Sequence, residues 1–143
     1  MDGFLGTSAQ LGSDLALVLS LALAAVAAFG VVRARRKRFS THCPVMASAA
    51  LLHWVPVLII MIPNWLQAAA GESQLTGAFS LTPIFHGVLG AAAQLLMTYT
   101  VVRMYWAEQL PPGQPVWLMR TTAALWLLTI VGGTAVYIVT YVL

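Results

Sequence analysis

Charge is scarce in this chain: only 8% of its 143 residues are Asp, Glu, Lys or Arg, and just four of these are acids. A soluble domain could not cover its surface with so little charge. Cysteine is scarcer still, with Cys43 alone, which excludes an internal disulfide and a cysteine-paired metal knuckle. A phosphate-binding glycine loop, paired carboxylates and an acid deep within any apolar run are also missing. Phosphoryl transfer, carboxylate-pair catalysis and ion-coupled transport therefore find no residues to carry them, and no catalytic residue is assigned.

What is present is hydrophobic. These residues make up 60% of the chain, the mean hydropathy is strongly positive, and the apolar residues gather in four long runs. A bilayer core of about 30 Å takes about 20 residues of helix. The runs predict an all-α integral membrane protein, a four-transmembrane-helix bundle forming one membrane domain over 1–143, with spans at about 14–32, 44–65, 82–104 and 116–142. Pro44 is expected in the first turn of span two, and Pro56 and Pro63 are expected to bend its far end.

The basic residues orient the bundle. Arg33, Arg35, Arg36, Lys37 and Arg38 follow span one, and Arg103 and Arg120 flank the connection between spans three and four. A four-span threading puts all of them on one face, which the positive-inside rule makes cytoplasmic. The N- and C-termini then lie on the external, periplasmic side of a bacterial inner membrane. The first run has Asp2 and Asp14 before it and its basic cluster after it, the reverse of a cleaved secretory signal, so it reads as a retained span. The cluster is compact and juxtamembrane, suited to topology and anionic lipid headgroups rather than to nucleic acid. Tyr105, Trp106 and Trp117 on the inside, and Trp65, Phe79, Tyr137 and Tyr141 outside, fit interfacial belts. Ser20, Ala24 and Ala28 recur at four-residue spacing and suggest a close helix contact.

Chemistry, if any, belongs to polar residues inside the spans. His42, His53 and Asn64 are eleven residues apart, about three turns, and share one stripe on an unbroken helix. On span three His86, Gly90, Gln94 and Met97 share a face, and antiparallel packing brings Gln94 to the depth of His53. A structural polar seam of His53, Asn64 and Gln94 is expected. Three roles stand open for His53: a neutral imidazole bonded to Gln94 or a carbonyl, a haem or metal ligand together with His86, and a proton or quinone contact. Haem b is the candidate cofactor, with no cofactor equally open, and His42 with His86 is the candidate metal pair. Arg120 is expected to snorkel to the interface or to clamp a haem propionate or lipid phosphate.

From the basic run onward, about three quarters of the chain resembles domain-of-unknown-function family 420, four-span bacterial membrane proteins some of which help mature haem-A cytochrome oxidases. The resemblance lies in the basic segment leading to His42, in Met46 one turn later, in His86 near the start of span three, and in Arg120, Trp126, Gly133, Tyr137 and Tyr141 of the last span. The family pattern has two more histidines, one closing span two and one before span four, where this chain has Asn64 and, at or near the second, Pro115. The resemblance implies an accessory or assembly subunit of a respiratory electron-transfer complex of the cytochrome oxidase type, partnered by lipid and by other membrane subunits. A b-type haem electron-transfer protein using His53 and His86 is the alternative.

Overall fold

The computed structural model describes residues 3–70, 81–105 and 115–143, and these are all-helical apart from the stretch before the first helix and the turns. Helix α1 spans Leu11–Arg35, α2 Phe39–Pro56, α3 Ile62–Ala69, α4 Thr82–Tyr105 and α5 Pro115–Tyr141. A π-helical turn, Val57–Met61, joins α2 to α3 into one continuous rod. The described residues thus contain four helices long and apolar enough to cross a membrane, as in a multi-pass membrane protein. Most of the expected 67–81 connection, and nearly all of the proline-rich return at 110–115, lies outside the described residues.

The α1–α2 corner shows how local chemistry sets the topology. Arg38 N–H donates to the Arg33 carbonyl and Lys37 N–H to that of Ala34, both at 2.9 Å. This double closure turns the chain back on itself, with Lys37 in the left-handed region at φ 57°, where glycine is usual. Because that turn starts α2 at Phe39, Pro44 falls inside the helix rather than in its first turn.

Four rods pack in a ring, α1 beside α2, α2–α3 beside α4, α4 beside α5, and α5 back against α1. Within a bilayer apolar side chains gain little by leaving lipid for protein, so close backbone approach and interhelical hydrogen bonds decide the packing. Small residues accordingly line the interior: Ala16, Ala27, Ala47, Ala49, Ala50 and Ala93 are buried. At Gly30 a Cβ would meet Met46 Sδ at 2.8 Å, and at Gly133 it would meet His86 Cε1 at 2.9 Å. Both glycines are sites where a neighbouring side chain lies on bare backbone.

The contact stripe of α1 differs from the expected one. Ser20 is buried and Ala24 partly so, but Ala28 is exposed, and the buried line runs through Ala16, Ser20, Leu23, Ala27 and Gly30. A strict four-residue step advances 40° beyond a full turn each time, so it drifts off the seam, whereas alternating steps of three and four stay on it.

Outward-facing residues are apolar: Leu52, Leu58, Ile59, Leu95, Leu127, Leu128 and Val131 are all exposed. Only 22–28% of each span is buried within the bundle, so most of its apolar surface is suited to lipid.

Candidate functional site

The polar interior is built in two layers. At mid-height, His53 Nδ1 lies 2.9 Å from Gln94 Oε1, and Gln94 Nε2 donates to the Ala50 carbonyl at 3.0 Å. That second bond fixes which end of the amide faces the ring. Oxygen can only accept, so Nδ1 carries the imidazole proton and Nε2 keeps a bare lone pair. Trp126 packs edge-on to the ring, with centroids 5.2 Å apart and planes at 80°. Its indole nitrogen lies 3.4 Å from Nδ1, but a nitrogen already bearing a proton offers it no acceptor. His53 is 5% exposed and its Nε2 has no hydrogen-bond partner among the described residues. The layer continues sideways, where Trp54 Nε1 donates to Thr98 Oγ1 at 3.0 Å and Thr98 to the Gln94 carbonyl at 2.9 Å.

The second layer closes the end of the bundle opposite the basic cluster. Asp14, in the first turn of α1, is fully buried. One carboxylate oxygen accepts from Tyr137 Oη at 2.5 Å and the other from the Leu5 N–H at 2.9 Å. With the Tyr137 proton committed to Asp14, Thr7 Oγ1 donates to the phenol oxygen at 2.8 Å. Ser13 and Ser8 add contacts to Tyr141. Gly3 has no room for a side chain, because a Cβ there would collide with the Asp14 carboxylate. The segment before α1 is thereby folded over the α1–α5 seam, with the carboxylate also placed at a helix N-terminus, where negative charge is favoured.

The remaining candidate residues are dispersed. Asn64 is exposed and outside the His53–Gln94 pairing. The π turn explains this: Ile62 N–H reaches back five residues to Val57, and the widened turn accommodates Pro63, which has no N–H for an α-helical bond. The extra residue rotates everything beyond it, so an eleven-residue step no longer returns to the same stripe. His86 is half-buried on Gly132 and Gly133 of α5, eight residues and about 12 Å of helix rise from Gln94. The structure does not bring it to His53. His42 is buried, Nδ1 2.9 Å from the Gly30 carbonyl. The antiparallel pairs between the α2–α3 rod and α4 run from Trp54–Thr98 to Trp65–Ile84, so His42 and His86 stand at opposite ends of the bundle. Among the described residues no three His, Cys, Asp or Glu side chains gather as metal ligands.

At the basic end, Arg33, Arg35, Arg36, Lys37 and Arg38 sit at the α1–α2 corner, Arg103 at the end of α4 and Arg120 near the start of α5. Arg120 is exposed. Arg33 lies over the Phe29 ring at 4.6 Å and Arg103 over Tyr99 at 6.0 Å. Thr122 donates to Thr100 at 3.1 Å just inside this end, since the Thr100 hydroxyl proton goes to the Leu96 carbonyl.

Residue spacing misses the Asp14 layer. Asp14 weighs in the sequence only as a charge, and Tyr137 only as a belt aromatic, yet Tyr137 is buried against it. An acid in the first turn of an apolar span, preceded by Gly3, Gly6, Thr7 and Ser8, is the one signal that points there. Compared with models of known families, with curated proteins and with solved structures, the chain matches none.

Proposed function

We propose that this protein is an accessory or assembly subunit of a bacterial respiratory electron-transfer complex of the cytochrome oxidase type, acting chiefly through helix packing. It resides in the inner membrane with both termini on the periplasmic side and the basic corner in the cytoplasm. One observation carries the reading: several of the residues on which the resemblance to domain-of-unknown-function family 420 rests are helix-contact residues. His42 and Met46 lie on Gly30, His86 on Gly133, Trp126 against His53, and Tyr137 on Asp14. Polar groups are spent on holding the bundle together, and the outward faces are left apolar for lipid and neighbouring subunits. Extraction in mild detergent followed by native electrophoresis and mass spectrometry tests the proposal. Comigration with redox subunits is expected, and a chain that never travels with an oxidase or another redox complex sinks it.

A second reading, a b-type haem electron-transfer protein, is favoured by the bare Nε2 of His53. Its tautomer is held by Gln94 in the manner of a ligand histidine oriented by an outer partner. His53 would hold the haem through Nε2, while His86 rests on Gly132 and Gly133 away from it and Arg120 is exposed near the basic end. A Soret band that vanishes on replacing His53 or His86 would establish this reading instead.

A further inference from the structure

The two buried side-chain atoms without a hydrogen-bond partner among the described residues are Ser20 Oγ and His53 Nε2. They lie at the same height on adjacent helices. Helices α1 and α2 pair antiparallel, with Gly30 against Val45 and Met46 near one end and Gly12 against Ile60 at the other. Ser20 therefore stands level with residues 52–56, the stretch that contains His53. Trp126 ties the two together, since it packs in the same core as Leu23, one turn from Ser20, and its ring edge meets His53.

Their chemistry is complementary. His53 Nε2 is an acceptor, because Gln94 holds the proton on Nδ1. The Ser20 hydroxyl can give and take a hydrogen bond. Ser20 also behaves unlike most threonines of α4 and α5. Thr98, Thr100, Thr121, Thr129, Thr134 and Thr140 each turn back onto the carbonyl four residues earlier, which is how a hydroxyl in an apolar helix is usually satisfied. Ser20 makes no such bond. One acceptor and one hydroxyl are the two polar partners that hold a single buried water, and removing such a water from a polar interior site is costly.

We propose that Ser20 and His53 bind one ordered water molecule in the centre of the bundle, donating to His53 Nε2. The inference does not depend on which complex the protein serves, and its readout is separate from comigration.

The test uses the full chain in lipid nanodiscs with 15N-labelled histidine and NMR polarisation transfer from water. The expected spectrum shows neutral His53, its proton on Nδ1, and transfer from water to a bare Nε2. Ser20→Ala should cut that transfer roughly three- to tenfold, the weight of one hydrogen bond, with the Nδ1–Gln94 coupling intact. Ser20→Thr, which keeps the hydroxyl, should preserve it. A proton on Nε2, transfer indifferent to Ser20→Ala, or an iron- or metal-shifted Nε2 in the protein as isolated overturns the proposal, the last by giving the nitrogen to the metal.

Discussion

The two polar layers solve the same problem to different degrees of completion. At the Asp14 end each carboxylate oxygen has its donor, the tyrosine proton is committed and the phenol oxygen is filled from Thr7. At mid-height the Gln94 amide reaches both neighbours, yet among the described residues the layer still leaves His53 Nε2 and Ser20 Oγ without partners. Asp14, Tyr137, His53 and Gln94 are all buried, but Thr7 is half-buried and Ser8 exposed, so the outer layer alone opens toward the surface. A chain able to satisfy a carboxylate with backbone and phenol could equally have packed apolar residues at mid-height. The histidine there, with one nitrogen pinned and the other without a partner among the described residues, leaves the central layer short of one donor.

The sharpest way to break this contrast is at Gln94. Gln94→Leu strands a buried Nδ1–H in an apolar setting and should cost about 1–3 kcal/mol, read as a shift in unfolding equilibrium in bicelles. His53→Leu combined with Gln94→Leu removes both partners and should recover most of that loss. If the double variant is as unstable as the sum of the single ones, the pair is not coupled and the central layer is only packing.

The outer layer should answer differently. Tyr137→Phe removes the Asp14 and Thr7 contacts but no helix-to-helix packing of comparable size, so its effect should be local. Amide exchange at Leu5, whose N–H rests on Asp14, should rise at least about tenfold, while exchange in α2 and α4 stays unchanged. Should the whole bundle loosen instead, the layer is a keystone of the fold and not a latch on one end.

The legible and the illegible parts of this molecule divide along the same line. The four spans follow from hydropathy alone, and the helices outrun the expected limits at several ends, α1 reaching Leu11–Arg35 against 14–32, because helical hydrogen bonding continues past the apolar boundary into residues that can snorkel. The depth match of His53 and Gln94 follows from counting turns in two antiparallel helices. Asn64 escapes the same count, since one π turn before it adds a residue and rotates the stripe. Tyr137 and Asp14 are 123 residues apart, and no periodicity connects them. Only closure of the ring, α5 against α1, makes them neighbours.

The smallest effect belongs to the edge of the central layer, and it separates a network from a lone pair of residues. Thr98 links Trp54 to the Gln94 carbonyl, so Thr98→Val deprives a half-buried indole N–H of its acceptor while preserving side-chain volume. Interhelical hydrogen bonds in membrane proteins average about 0.6 kcal/mol, and a loss of that order is expected in wild type. The informative quantity is the same substitution made in the Gln94→Leu background. An unchanged loss means that the Trp54 branch and the His53 branch are independent, each fastened to α4 on its own. A loss that vanishes means that Gln94 orients both, because its backbone receives the Thr98 hydroxyl while its side chain holds the imidazole, and a rotation of α4 at that residue would carry the two branches together. The bare nitrogen of His53 would then be held in place by the whole α2–α4 contact and not by one amide.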